Sequence, residues 1–239
     1  MNIPKRINKC PILEALAEIR FAPSVPSDAV FGLLFNALRS DFPSVEKLPP
    51  AELPGFVVSA EPTMMHSPHY RLASDNFVLQ IGPRIVSLSV TNGYIGWRIF
   101  SQKIKAVFEK VISANVTNDI SRFGLRYINF FEDNIFDVST LVVRLKDTNL
   151  GKYSSMVTAE IPEGEFRNVV RVGNNAKVKT NEAKQLSGSI VDIDTFLEGH
   201  FQATQQEIVK VLEKAHCVEK QLFFNLLSQE FIESLEPEY

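Results

Sequence analysis

Two arginines, Arg122 and Arg126 in the stretch S-R-F-G-L-R-Y-I-N-F-F (Ser121 to Phe131), are the residues best placed to do chemistry. Side chains alternate along a strand. Arg122, Gly124, Arg126 and Ile128 therefore share one face, and Phe123, Leu125, Tyr127 and Asn129 share the other. Arg167 and Arg171 repeat the same spacing with Val169 between them. A guanidinium is always charged and offers a planar fork of donors that matches a phosphate or a carboxylate. If the strands carrying these arginines lie side by side, they form a positive groove for a phosphate-bearing ligand or an RNA backbone. Arg84, Lys177 and Lys179 would stand in or beside its turns. The reading of first choice pairs the same arginines with cross-strand acids such as Glu160 or Glu165, on an ordinary solvated face.

Asp192 and Asp194 lie two apart on an expected strand, so their carboxylates share a face roughly 7 Å apart. Such a pair can hold Mg²⁺ for phosphoryl chemistry, with Glu182, Glu198 or His200 as the third ligand. It can also end a strand, cap the next helix and take up loop amides. Met64-Met65-His66-Ser67-Pro68-His69 places H-x-x-H in a loop, where imidazoles and thioethers suit copper or zinc, or where histidine simply faces solvent. Cys217 follows His216, but neighbours on a helix point about 100° apart, so they do not face each other as a catalytic pair would. Cys217 reads instead as a core residue and His216 as a helix-face contact. No G-x-G-x-x-G, G-x-x-x-x-G-K-[ST], G-x-S-x-G or H-E-x-x-H occurs, which counts against dinucleotide, P-loop, serine-hydrolase and zincin chemistry.

The elements that must position these groups follow from periodicity. After Pro11, I-L-E-A-L-A-E-I-R-F predicts a strand closed by Ala22-Pro23, with helix as the competing reading. Val30, Leu34 and Leu38, flanked by Phe31 and Phe35, predict an amphipathic helix capped by Ser24 or Ser27 and ended at Phe42-Pro43. A proline-rich connector comes next. Short strands are then predicted near 56–61, 69–73, 77–81 and 85–91, with Ser74-Asp75-Asn76 and Gly82-Pro83-Arg84 as turns. Trp97, Phe100, Ile104, Val107, Phe108 and Val111 recur at helical spacing and predict a long helix against a sheet.

Beyond the arginine strand, further strands are predicted near 140–146, 154–161, 166–172 and 184–193. A helical C-terminus opens at Thr195-Phe196-Leu197-Glu198, which has capping-box spacing. It carries Ile208, Val211, Leu212 and Ala215, then Leu222, Phe223, Leu226 and Leu227, as one bent helix or two. Consecutive strands with short turns predict an α+β fold of antiparallel meanders backed by long amphipathic helices. The order of elements suggests two similar modules, 1–120 and 121–239, in one compact unit, with the Phe123–Leu125–Tyr127 face as the seam between their cores.

The 239 residues suffice for one large domain or two modules, and 45% hydrophobic with 22% charged is an ordinary globular composition. A net charge of −3 leaves no global footprint for nucleic acid or an anionic membrane. Cys10 and Cys217 are too few for a disulfide scaffold and read as free, buried thiols. With no signal-peptide pattern and no segment near the roughly 18–20 apolar residues of a membrane span, the expected location is cytoplasmic.

Three segments resemble a sporadically distributed, uncharacterised prokaryotic family of similar length: N-K-C-P-I-L-E-A-L-A-E-I-R-F at 8–21, R-F-G-L-R-Y-I-N at 122–129, and the ending with I-V-D-I-D at 190–194, A-H at 215–216 and F-F-N-L-L-S at 223–228. Cys10 stands where that family usually has Ala, and Ala215 where Leu often precedes the His. The resemblance spans the chain and implies no enzyme activity, no cofactor and no assigned catalytic residues. Its patchy distribution suggests an accessory of a mobile-element defence or toxin–antitoxin module.

Two functions are therefore expected. The first is a non-catalytic cytoplasmic binding protein that presents a surface to a protein partner or to itself. The alternative is a nucleic-acid- or nucleotide-directed activity, with Arg122, Arg126, Arg167 and Arg171 on the polyanion and Asp192 and Asp194 on a divalent metal.

Overall fold

A computed structural model describes residues 3–53, 61, 64–90, 92–179 and 185–239. In chain order the strands are β1 (Arg6–Ile7), β2 (Ile12–Phe21), β3 (Ser44–Lys47), β4 (Tyr70–Ser74), β5 (Phe77–Gly82), β6 (Ile85–Val90), β7 (Asp119–Phe131), β8 (Arg144–Leu145), β9 (Thr148–Asn149), β10 (Met156–Glu163), β11 (Phe166–Lys179), β12 (Gln185–Gln202) and β13 (Pro237–Glu238). The helices are α1 (Ser27–Leu38), α2 (Trp97–Ser113), α3 (Ile135–Val138), α4 (Gln205–Leu226) and α5 (Gln229–Ser234). The class is α+β with a large antiparallel sheet, as the short turns between consecutive strands predicted.

The chain divides into two compact units that are discontinuous in sequence. One comprises Glu14–Leu125 and Phe196–Ala215, the other Met1–Leu13, Arg126–Thr195 and His216–Tyr239.

In the first unit the strands run in the order β12-β7-β2-β6-β5-β4-β3. Registers such as Ala17↔Leu88, Ile81↔Val86 and Leu72↔Leu79 bring small and branched residues opposite one another. β6 is buried along its whole length, which fits its mixture of Ile, Val and Leu with two serines. Against this sheet α1 buries Val30, Leu34 and Leu38, and α2 buries Phe100, Ile104, Val107, Phe108 and Val111. Each such side chain removed from water contributes about 1.5–3 kcal/mol. Phe108 meets Phe123 edge to face with ring centres 6.3 Å apart, and Lys110 donates to Asp41 at 2.8 Å.

The second unit orders its strands β10-β11-β12-β7. Its core joins Phe131, Val170, Val172, Val191 and Ile193 of the strands to Phe223 and Phe224 at the end of α4, to Leu227 just beyond it and to Ile232 of α5. β1 pairs with β13, so Arg6 faces Glu238 across the register.

Several sequence expectations need correction. Thr195-Phe196-Leu197-Glu198 does not open a helix: β12 runs through it to Gln202, and α4 begins only at Gln205. Burial of Thr195, Phe196 and Leu197 in the sheet outweighs the local capping signal. The predicted strand near 140–146 is reduced to the Arg144–Leu145 strand of a small hairpin with Thr148–Asn149, turned at Lys146 with φ 51°. The N-cap of α1 is Pro26, with no side-chain cap, so neither Ser24 nor Ser27 fills that role. The proline-rich connector holds an unforeseen strand, β3. Both thiols are exposed, where buried ones were expected. The strand expected near 56–61 and the candidate ligand Glu182 lie outside the described residues.

Candidate functional site

The long strand β7 sets out its side chains as the alternation requires. Phe123, Leu125, Tyr127 and Asn129 are buried. On the other face Arg122 is also buried, with 8% of its side chain exposed. Its Nη1 donates to Glu18 Oε1 of β2 at 2.6 Å, and the same oxygen accepts from Arg20 Nε at 2.7 Å. The guanidinium carbon stands 4.4 Å from the centre of the Phe196 ring. A charge held in this way, between a carboxylate and an aromatic face, is compensated where water is excluded. Arg122 thus fastens neighbouring strands.

In the other unit Arg126 makes a two-pronged contact with Asp192, Nε to Oδ1 and Nη2 to Oδ2, each at 2.7 Å. Arg171 Nη1 reaches the same Oδ2 at 3.2 Å. Asp192 is itself buried, while the two arginines are about half-buried. Strands β7, β11 and β12 are thereby clasped around one carboxylate. Arg167 pairs with Glu160 across the β10–β11 ladder, where Pro162 is its register partner. Three of the four arginines singled out in the sequence therefore belong to this unit, and each meets an acid. Asp194 is half-buried on the same strand as Asp192. Among the described residues no group of three His, Cys, Asp or Glu is placed to hold a metal ion.

The H-x-x-H loop leads elsewhere. His66 is kept low in pKa by burial, then by the charge of Arg20, with Glu18 acting in the opposite sense. His69 forms part of the wall of a cleft of about 480 Å³, together with Asp28, Phe31, Met65, Tyr70 and Arg84. Phe31 and Tyr70 stack with ring centres 3.5 Å apart, and Phe31 also stacks on Phe35. Gly82 closes one side. A Cβ there would stand 2.5 Å from the Ser67 carbonyl oxygen, so only glycine lets the loop settle onto the β5–β6 turn. Sequence reasoning marked the two histidines and the Gly-Pro-Arg turn separately. The cleft is a meeting of α1, the loop and that turn, which periodicity does not report.

Midway along α4, the Tyr127 hydroxyl and His216 Nδ1 lie 3.5 Å apart, which bears out His216 as a helix-face contact. Cys217 is exposed on that helix and is not a core residue. The residue missed in the sequence is Glu219, buried on α4, whose carboxyl is pushed up to about 8 by burial, with Lys220 acting weakly against the shift. Its only sequence signal was a glutamate interrupting an apolar stripe.

No family model and no curated protein matches this chain. No helix among the described residues is long and apolar enough to cross a membrane.

Proposed function

We propose that the chain is a non-catalytic binding protein that takes up a polypeptide partner by strand addition at β10. The observation that carries this reading is the edge that β10 leaves open among the described residues. β10 is the outermost strand of its sheet, is almost wholly exposed over eight residues, and presents Met156 at 62% exposure. Val142, Leu145 and Tyr153, in the segment leading into it, are also exposed large apolar side chains. An edge strand offers unpaired amides and carbonyls to an incoming chain, and alternate side chains supply the selectivity. Glu160, Pro162 and Glu163 guard the far end of the strand in the way edge strands usually avoid indiscriminate pairing, so Met156–Ala159 is the open portion. The engagement of Arg122, Arg126, Arg167 and Arg171 by acids supports the same reading, because groups that clasp strands are not standing ready for a substrate.

The test is amide exchange at 156–159 with light scattering over a range of concentrations, alone and with material co-purified from the native source. Protection that appears with self-association or with a retained partner, and is abolished by Met156→Lys with Ala159→Lys, supports the proposal. A strictly monomeric protein with no retained partner and unprotected edge amides overturns it.

The nucleotide- or nucleic-acid-directed alternative draws on Arg126 and Arg171, whose half-exposed guanidiniums a phosphate can approach. A divalent metal at Asp192 would have to displace both of them. That makes a metal-induced rise in melting temperature the discriminating observation.

A further inference from the structure

The cleft of the Glu14–Leu125 unit is lined in part by His69, whose Nε2 is shut off from solvent and so lies out of reach of an occupant. Two side chains of opposite charge, Asp28 and Arg84, also belong to the lining, beside the Phe31–Tyr70 stack and Met65. The volume of about 480 Å³ falls among small-molecule sites, which run roughly 300–1,000 Å³.

The charges decide the class of occupant. A simple anion such as a nucleoside phosphate would meet Asp28, and a simple cation would meet Arg84. A purely apolar ligand would strip water from both charges and return nothing. A molecule with one carboxylate and one ammonium satisfies both, because guanidinium grips a carboxylate with a two-pronged geometry and Asp28 accepts from the ammonium. The stacked rings favour a flat, apolar body on that zwitterionic head. We propose that this cleft binds a small zwitterion of the amino-acid type with an aromatic side chain. This site is independent of the β10 edge, so either proposal can fail without the other.

The experiment uses the full chain and three related probes: L-tryptophan, tryptamine, which lacks the carboxylate, and indole-3-propionate, which lacks the ammonium. Calorimetric titration and melting temperature are read for each, with L-phenylalanine and L-tyrosine as further zwitterions. A concentration-dependent rise in melting temperature with at least one of the zwitterions, and binding weaker by about tenfold or more for both truncated indoles, is expected. Arg84→Gln should weaken the zwitterion without unfolding the protein, since the Arg84 carbonyl that accepts from Phe21 N is untouched. Asp28→Asn, at an exposed position in the first turn of α1, should weaken the zwitterion in the same way. No binding by any of the three aromatic amino acids, equal binding of a truncated indole, or binding that ignores both substitutions overturns the proposal.

Discussion

Gly124 leaves open the space that the guanidinium of Arg122 occupies: a Cβ at Gly124 would stand 2.5 Å from Arg122 Nη1. That nitrogen is committed to Glu18 at 2.6 Å, and its carbon lies over Phe196, so the group has nowhere to retreat without breaking a buried ion pair. Gly124→Ala should therefore destabilise the protein by about 1–3 kcal/mol, and Arg122→Ala by about 3–5 kcal/mol, since the latter leaves Glu18 with a reduced set of partners in a dry place. Urea unfolding checks both. Equal stability of Gly124→Ala and wild type would mean that the guanidinium moves aside without cost.

Arg126 and Asp192 should couple. Their two-pronged contact is partly buried, so a double-mutant cycle with Arg126→Ala and Asp192→Ala is expected to give an interaction of about 1–3 kcal/mol. Asp192→Ala should be the more costly single change, because it strands Arg171 as well. Arg167→Ala, which removes an exposed pair with Glu160, should cost no more than about 1 kcal/mol. A cycle near zero for Arg126 and Asp192 would return Arg126 to the pool of candidate ligand-binding groups.

Glu219 should make the protein less stable as pH rises. Its folded pKa of about 8 exceeds the ordinary 4.5, so below 4.5 the carboxyl is protonated in both folded and unfolded chains. Between the two values the unfolded chain releases its proton and the folded one keeps it. Stability is then lost by at most about 1.4 kcal/mol per pH unit from this group, and the loss levels off above the folded value. Chemical denaturation of wild type and Glu219→Gln between pH 5 and pH 9 reads the effect directly, and Glu219→Gln should show the flatter profile. Parallel profiles would show that Glu219 ionises in the fold as it does in water.

Both cysteines should react with a thiol reagent in the native protein, since Cys10 and Cys217 are exposed. Two equivalents of label without denaturant are expected. Labelling only after unfolding would contradict the positions assigned to them.

Elements whose signal is local are legible in the residues alone. The spacing of Val30, Leu34 and Leu38, and of Phe100, Ile104, Val107, Phe108 and Val111, settled two helices and their buried faces. The alternation along Phe123, Leu125, Tyr127 and Asn129 settled which side of β7 is core. Periodicity reports which face is apolar because burial rewards every residue of that face independently. It does not report which strand lies alongside. The folded chain was needed to show that Arg122 meets Glu18, 104 positions away in sequence, and that Arg126 and Arg171 share Asp192. It was needed again to show that Thr195 to Glu198 extend a strand, because sheet burial there outweighs a helix cap. His69, Asp28 and Arg84 likewise read as ordinary loop, helix-start and turn residues until the chain brings them around one cleft. Long-range pairing of charges leaves no local trace, because the fold and not the neighbouring residues sets the partners.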